Sequence, residues 1–511
     1  MVDYKMLARV NTLTFNGLEV QSVDLQVQLA SGLPNFVIVG LPDKAIAESK
    51  ERVRSALQSI GLQIPAKRIV INLAPADLLK EGSHFDLPIA LAVLAVMGVI
   101  SADKLTKYMV MGELGLDGSI LQVNGVLPAA LAAKRYGLGL ICPKKQGSEA
   151  IWAGLEDVVA ANSLTELLNH LKEINLLPLP EAKKADKVTS LLDMADVKGQ
   201  ETAKKALEIA AAGGHNILMV GPPGSGKSML AARLPGILPP MSVEEAIETS
   251  MIHSIAGELK DGKISFERPF RDPHHNASTP ALVGGGRKAS PGEISLSHNG
   301  VLFLDELPEF NRATLEALRQ PLENGYVSIS RVNAHTVYPA KFQLVAAMNP
   351  CRCGHLGDHA LECARAPVCA QEYQAKISGP LLDRIDIQIE VPAVSPWDLS
   401  GVKKGESSAS IRERVIRARE FQQKRLQELS EDCNCINSRL KGALLEKVAV
   451  LDNDAEALLV AFADKNKLSA RAYHRTLRLA RTIADLQSES KILKLHIAEA
   501  LSYRRSLSGK M

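Results

Sequence analysis

The eight residues Gly221-Pro222-Pro223-Gly224-Ser225-Gly226-Lys227-Ser228 have the spacing needed to grip a chain of phosphates. Glycines let successive backbone N–H groups converge on anionic oxygens, and a helix starting at the end of the run adds favourable potential. In such a loop Lys227 reaches the β- and γ-phosphates and the Ser228 hydroxyl holds Mg²⁺. The run follows the apolar Ile217-Leu218-Met219-Val220 and precedes Met229 to Leu234, so strand, loop and helix come in the order the motif requires. ATP with Mg²⁺ is the expected ligand.

Hydrolysis needs more than a cradle. Asp305-Glu306 ends the apolar run Val301-Leu302-Phe303-Leu304, which suits Asp305 to the Mg²⁺ shell and Glu306 to polarising the attacking water. Asn349-Pro350 ends a third apolar run, Leu344 to Met348; it reads as a plain turn or as an amide that orients that water. Arg384 lies between Asp383 and Asp386, either in a surface ion pair or as an arginine finger for a transferring phosphate. Arg471, Arg475 and Arg478 share one helical face beside an apolar face of Tyr473, Leu477, Ala480 and Ala484. By composition that is a solvated basic face, with Arg471 at the helix start best placed to swing onto a nucleotide.

Seven cysteines occur, and four of them, Cys351, Cys353, Cys363 and Cys369, fall within nineteen residues. An odd count with such crowding points to metal or redox chemistry rather than a disulfide scaffold. Four thiolates suffice for a closed tetrahedral Zn²⁺ site, with His355 and His359 as spare ligands. The opening Cys-x-Cys is tighter than the usual knuckle, so four reduced thiols are the competing reading; Cys433 and Cys435 read as ordinary thiols outside any site.

Two inserts carry the remaining polar chemistry. Residues 268–290 hold Arg268, Arg271, His274, His275, Arg287 and Lys288 around Gly284-Gly285-Gly286. Tyr326 to Tyr338 alternates as a β-hairpin whose tip shows Arg331, Asn333 and His335. Flexible basic loops of this kind track a nucleic-acid backbone without reading sequence, or else pack subunits together.

These residues need a framework. Strand patterns at Phe36-Val37-Ile38-Val39 and Arg68 to Leu73, with an amphipathic helix over Ala45 to Ile60, predict an α/β unit in the first 170 residues or so. Leu87 to Ile100 is too short for a bilayer span and reads as a buried helix. Pro178, Pro180 and the charge run after them mark a linker. The strands around the phosphate loop predict a mostly parallel sheet covered on both faces. Beyond about Ser395 only helical patterns remain. At 511 residues, 46% of them hydrophobic, the chain has material for about three cores, and a net charge of +3 confines any nucleic-acid surface to local patches. No signal-peptide segment follows Met1-Val2-Asp3-Tyr4-Lys5, so the expectation is a cytoplasmic protein with no membrane partner.

The motifs, in this order, resemble an AAA+ ATPase. Phe270-Arg271-Asp272-Pro273-His274-His275, Phe303 to Phe310 and Ala347-Met348-Asn349-Pro350-Cys351 are similar to the ComM/YifB family of magnesium-chelatase-like proteins. Gly40-Leu41-Pro42-Asp43 and Asn72 to Asp77 extend the likeness to the N-terminal region. The resemblance implies residues 1–172 as a Lon-protease-like (S5-like) α/β domain, 173–190 as a linker, 191–395 as the AAA+ core and 396–511 as a helical lid. It implies a homo-hexameric ring that hydrolyses ATP, translocates on single-stranded or branched DNA and works with recombination proteins in branch migration. Arg384 would be the finger acting in trans, Arg471 the lid's sensor and Asn349 the first sensor, with Arg287, Lys288, Arg331 and His335 meeting DNA. The alternatives are a magnesium-chelatase-type subunit driving a partner enzyme, or a nucleotide-switched remodelling module. Where the Lon-like domain would carry a Ser–Lys pair, Ser83 is followed by bulky His84 and Phe85, and Pro128 lies near the lysine position. The fold is expected without the protease.

Overall fold

The computed structural model describes residues 7–185, 192–286, 289–331, 334–354, 356, 363, 365–393, 405–429, 431 and 435–504. Its first element pair is a long hairpin, β1 (Leu7–Asn16) against β2 (Glu19–Ala30), antiparallel from Leu7↔Gln28 to Asn16↔Glu19. Along β2 the buried Val23, Leu25 and Val27 alternate with more exposed polar neighbours, the period-two pattern of a sheet with one core face. There follow β3 (Asn35–Val39), helix α1 (Lys44–Ser59), β4 (Arg68–Ala74) and α2 (Asp86–Val96). Asp43 caps α1 by accepting the Ile46 N–H at 2.8 Å. Every residue of α2 is buried, in keeping with its unbroken apolar sequence. Then come β5 (Tyr108–Val110), α3 (Val126–Arg135), β6 (Gly139–Pro143) and β7 (Val158–Ala161), closing a seven-stranded mixed sheet of order β3-β4-β2-β1-β5-β6-β7.

The second layered unit starts with α4 (Glu201–Gly213), β8 (Ile217–Val220), α5 (Lys227–Ile237) and α6 (Val243–Ala256). It continues through β9 (Phe270–Arg271), β10 (Val301–Leu304), the hairpin β11 (Tyr326–Arg331) and β12 (Ala334–Pro339), β13 (Gln343–Met348) and β14 (Ile387–Glu390). The five-stranded sheet runs β9-β10-β13-β8-β14 and is parallel throughout. All residues of β8, β10 and β13 are buried, and apart from Gln343, whose amide donates to the Ala210 and His215 carbonyls, all are apolar, as strands covered on both faces must be. Ligands of such sheets bind beyond the carboxyl ends of the strands. Here three neighbouring strands end at Gly221, Asp305 and Asn349.

The C-terminal region packs α7 (Ser408–Glu428), α8 (Asn453–Asn466), α9 (Ala470–Leu486) and α10 (Lys494–Ser502), with no strand among its described residues. Its core is continuous with one face of the parallel sheet: Leu477, Ile483 and Ile497 share a cluster with Ala210 and Ile217.

The expected linker is tied down where it is described. The Lys183 N–H donates to the Ser148 hydroxyl at 2.7 Å and the Ala185 N–H to the Ile264 carbonyl at 2.9 Å. Helix α3 abuts α6, where the Gly125 N–H reaches the Ser254 carbonyl at 3.0 Å. The Thr336 hydroxyl of β12 donates to Asn16 at 2.9 Å, fixing the second hairpin to the turn of the first.

Candidate functional site

The phosphate loop joins the end of β8 to the start of α5. Gly224 (φ 75) and Gly226 (φ 89) are left-handed, and a β-carbon on either would meet nothing within 4 Å. The backbone there is therefore turned towards open space, as a cradle for an anion requires. Gly221 is fixed by a different need, since a β-carbon would collide with the Val391 carbonyl oxygen. Lys227 is buried, and its Nζ donates to the carbonyls of Gly221 (2.8 Å) and Pro222 (2.9 Å) and to Asn349 Oδ1 (3.3 Å). Burial lowers the Lys227 ammonium below its ordinary value, and Asp305 opposes that. Its direct partners are all neutral, so the positive charge is still available to a phosphate.

Ser228 donates to Asp305 Oδ2 at 2.7 Å. A hydroxyl from the loop after β8 and a carboxylate from the end of β10, with β13 between the two strands, thus face one point, the pair that would hold Mg²⁺. Asp305 Oδ1 accepts the Glu306 N–H at 2.9 Å. Glu306 has a left-handed backbone (φ 51), and its Oε2 lies 3.2 Å from His275 Nδ1. His275 stacks on His274 with ring centroids 4.1 Å apart. Burial, with the nearby charge of Asp305, raises the Asp272 carboxyl above its usual range. His275 and Asp272 were absent from the expected site. In the sequence His274-His275 reads as part of a basic insert, and only the pairing of β9 with β10 brings it to Glu306.

Arg384 and Arg471 line a separate cleft of about 470 Å³, which no phosphate-loop residue lines. Arg384 pairs there with Glu323 and donates to the Pro380 carbonyl at 2.6 Å, so its partner is neither of the flanking aspartates. That Arg384 pairing holds the Glu323 carboxyl below its ordinary range, helped by Arg471 and Lys441. The solvated basic face expected of Arg475 and Arg478 is not what the fold makes. Arg475 lies 3.8 Å from Asp386, Arg478 donates to the Ser438 carbonyl at 2.6 Å, and burial lowers both guanidiniums. Asp386 also faces His215 across 3.3 Å. Burial likewise brings Arg419, in the same cleft, down to about 9. Arg384 Nε and Arg475 Nη1 are buried with no hydrogen-bond partner among the described residues. The cleft's cations outnumber its acids Glu245, Glu323 and Asp386, and with two unmet donors their surplus charge favours an anion.

The sequence comparisons agree along the chain. The family profile described as "Magnesium chelatase, subunit ChlI" matches residues 193–399, "Subunit ChlI of Mg-chelatase" matches 25–146, and "Magnesium chelatase, subunit ChlI C-terminal" matches 405–504. The competence protein ComM of Haemophilus influenzae is 46% identical over 506 residues, spanning 98% of this chain and 97% of its own. The YifB protein of Salmonella typhimurium is 44% identical over 499 residues, with the same coverage. The chain belongs to the ComM/YifB family of magnesium-chelatase-like AAA+ proteins. A more distant likeness, 26% identity over 164 residues, links 31% of it to 24% of the magnesium-chelatase 67 kDa subunit of Chlorobaculum parvum.

In this ComM-type protein the sulfurs of Cys351, Cys353, Cys363 and Cys369 all lie within 4.8 Å of one another, so the cluster can hold a metal. Burial, then the Cys353 thiol, raises the Cys351 thiol above its ordinary value. A cation would reverse that preference. His355, His359 and Cys433 lie outside the described residues.

The basic inserts are less available than their composition suggests. Arg268 donates to the Pro239 and Asn299 carbonyls, each at 2.7 Å, and pairs with Glu245 at 2.9 Å. Arg271 pairs with Glu293 at 2.5 Å and Glu258 at 3.0 Å. Both are internal ties. Arg287, Lys288 and Asn333 lie outside the described residues, as does the side chain of Arg331. His335 folds back on its own hairpin, 2.9 Å from the Ser330 hydroxyl. In the N-terminal unit the Ser83 hydroxyl donates to Glu113, and Lys80 Nζ to the Pro75 carbonyl. Among the described residues no helix is long and apolar enough to cross a membrane.

Proposed function

We propose that this protein is an ATP-hydrolysing ring motor that moves on DNA, acting as a homo-hexamer in the cytoplasm on single-stranded or branched substrates and alongside recombination proteins. The observation that carries the reading is the division of one catalytic set between two places. Lys227, Ser228, Asp305, Glu306 and Asn349 gather at the strand ends. Arg384 and Arg471 line a cleft that no phosphate-loop residue lines. A second copy that presents this cleft to the phosphate loop supplies the finger and the lid sensor in trans, so turnover and ring assembly are coupled.

Gly221 to Ser228 hold the triphosphate by backbone N–H groups and by Lys227, and Ser228 with Asp305 holds Mg²⁺. The metal, when bound, neutralises charge on the phosphates. Glu306 takes the proton of a water that Asn349 orients. Zn²⁺ is the metal we assign to the cysteine cluster. In the domain division, residues 1–172 form a Lon-like unit without proteolysis, 173–190 a connection, 191–395 the motor core and 396–511 the lid. DNA runs past the loops carrying Arg287, Lys288, Arg331 and His335. The relative in Haemophilus influenzae is named a competence protein, which supports a DNA substrate.

The test is the ATPase rate with no DNA, with single-stranded DNA and with a branched junction, beside a Glu306→Gln control. Stimulation by DNA, lost in the control, is expected. An ATPase indifferent to every DNA, in a protein that does not bind DNA at low salt, would overturn the motor and leave a nucleotide-driven partner subunit.

A further inference from the structure

The four-cysteine loop touches the nucleotide site at two points. Cys351 follows Asn349 across Pro350, and Asn349 Oδ1 accepts from Lys227 Nζ at 3.3 Å. The Pro350 carbonyl in turn accepts from Gln374 at 2.9 Å, on the short helix Val368–Gln374 that also carries Cys369. Gly354 (φ 84) lies against the phosphate loop itself: a β-carbon on it would stand 2.7 Å from Pro223 Cδ. One segment therefore leaves β13 beside Lys227, presses on Pro223 and closes on itself through sulfur.

The sulfur spacing selects the kind of metal. Zinc–sulfur bonds of about 2.3 Å put the corners of a tetrahedral site roughly 3.8 Å apart. The four sulfurs are all within 4.8 Å, with Cys351 and Cys353 at 3.2 Å, so small shifts, apart for that close pair and inward for any wider one, complete the tetrahedron. A cubane iron–sulfur cluster binds one cysteine at each of four separate irons and needs a wider set. Cys351 and Cys363 are buried, which suits a closed structural site.

We propose that this loop is a metal-locked clamp on the phosphate loop, so that nucleotide affinity depends on zinc at a site that never touches nucleotide. The clamp rests on the zinc reading above. Cys351, Cys363 and Ala370 form a small buried cluster with Leu356 and Cys369, and a metal bound by the four sulfurs would add a cross-link that orders this segment further. Ordered, it buttresses Pro223 through Gly354 and holds Asn349 against Lys227. The cradle is then shaped before the phosphates arrive.

The experiment uses the full chain, with zinc per chain from elemental analysis and ADP affinity from displacement of a fluorescent nucleotide, neither of which needs turnover. Wild type is expected to carry about one zinc, and Cys369→Ser to lose it and weaken ADP binding by roughly tenfold, the scale of a lost supporting shell. Gly354→Ala is expected to keep its zinc and weaken binding comparably, because the added methyl displaces Pro223. A wild-type protein with no bound metal overturns both the zinc reading and the clamp. Zinc in wild type, with unchanged ADP affinity in metal-free Cys369→Ser or in zinc-loaded Gly354→Ala, overturns the clamp and leaves the zinc reading standing.

Discussion

Glu306 and His275 show how much one contact decides. In the proposed mechanism the Glu306 carboxylate faces a water near the γ-phosphate; its backbone is left-handed (φ 51) and its side chain is half-exposed. On that reading His275 Nδ1, at 3.2 Å, would aim it, and His275 is backed by His274 and by the edge of Phe310. An asparagine amide nitrogen occupies nearly the place of Nδ1. We therefore expect His275→Asn to keep most of the wild-type ATPase rate and His275→Ala to lose about tenfold in kcat with KM for ATP unchanged, the signature of an interaction made only in the transition state. Steady-state kinetics of both variants checks this, and equal behaviour of the two would remove the aiming role. On the same reading, Glu306→Gln keeps the shape and loses the base. Its kcat should fall by roughly 10²–10⁴, the usual worth of general-base catalysis, while equilibrium ATP binding stays at the wild-type level.

The helices and strands that carry these groups differ in how readable they are. Ile217 to Val220, Val301 to Leu304 and Leu344 to Met348 could be read directly, because a strand buried on both faces must be apolar throughout. Strand β9 could not. It is two residues long and exists only because Phe270 and Arg271 pair with Val301 and Leu302. The buried arginines of α9 were illegible for another reason: a charged face reads as solvated until its partner is known, and Asp386 belongs to a different region of the chain. Hairpin β1–β2 was legible in principle through the alternation of Val23, Leu25 and Val27. Packing of α1 on α2 hides a similar tie. Asp86, fully buried at the start of α2, accepts from Arg52 at 2.6 and 2.9 Å and also bonds the Ser49 hydroxyl. Removing one member of a buried pair strands the other, so Asp86→Ala should cost about 3–5 kcal/mol. Urea unfolding followed by tryptophan-independent circular dichroism measures it, and a loss under about 1 kcal/mol would mean that Arg52 escapes to water.

At the scale of the whole molecule, the arginine cleft and the phosphate loop must belong to one reaction or to two unrelated surfaces. The cleft favours the first, since burial depresses Arg475 and Arg478, and Arg384 Nε and Arg475 Nη1 are unmet among the described residues. A neighbour's nucleotide would answer that deficit and draw Arg384 from Glu323, which stands two residues before Gly325 and the start of hairpin β11–β12. Mixing tests this without structural data. Arg384→Ala rings keep every phosphate loop but lose every finger, and Lys227→Ala rings keep the fingers but lose the loops, so each alone should be inactive. In an evenly mixed ring with head-to-tail contacts, about a quarter of the interfaces pair an intact Lys227 with an intact Arg384. The mixture should recover ATPase activity on that order. A mixture no more active than its two components would mean that each site is completed within its own chain.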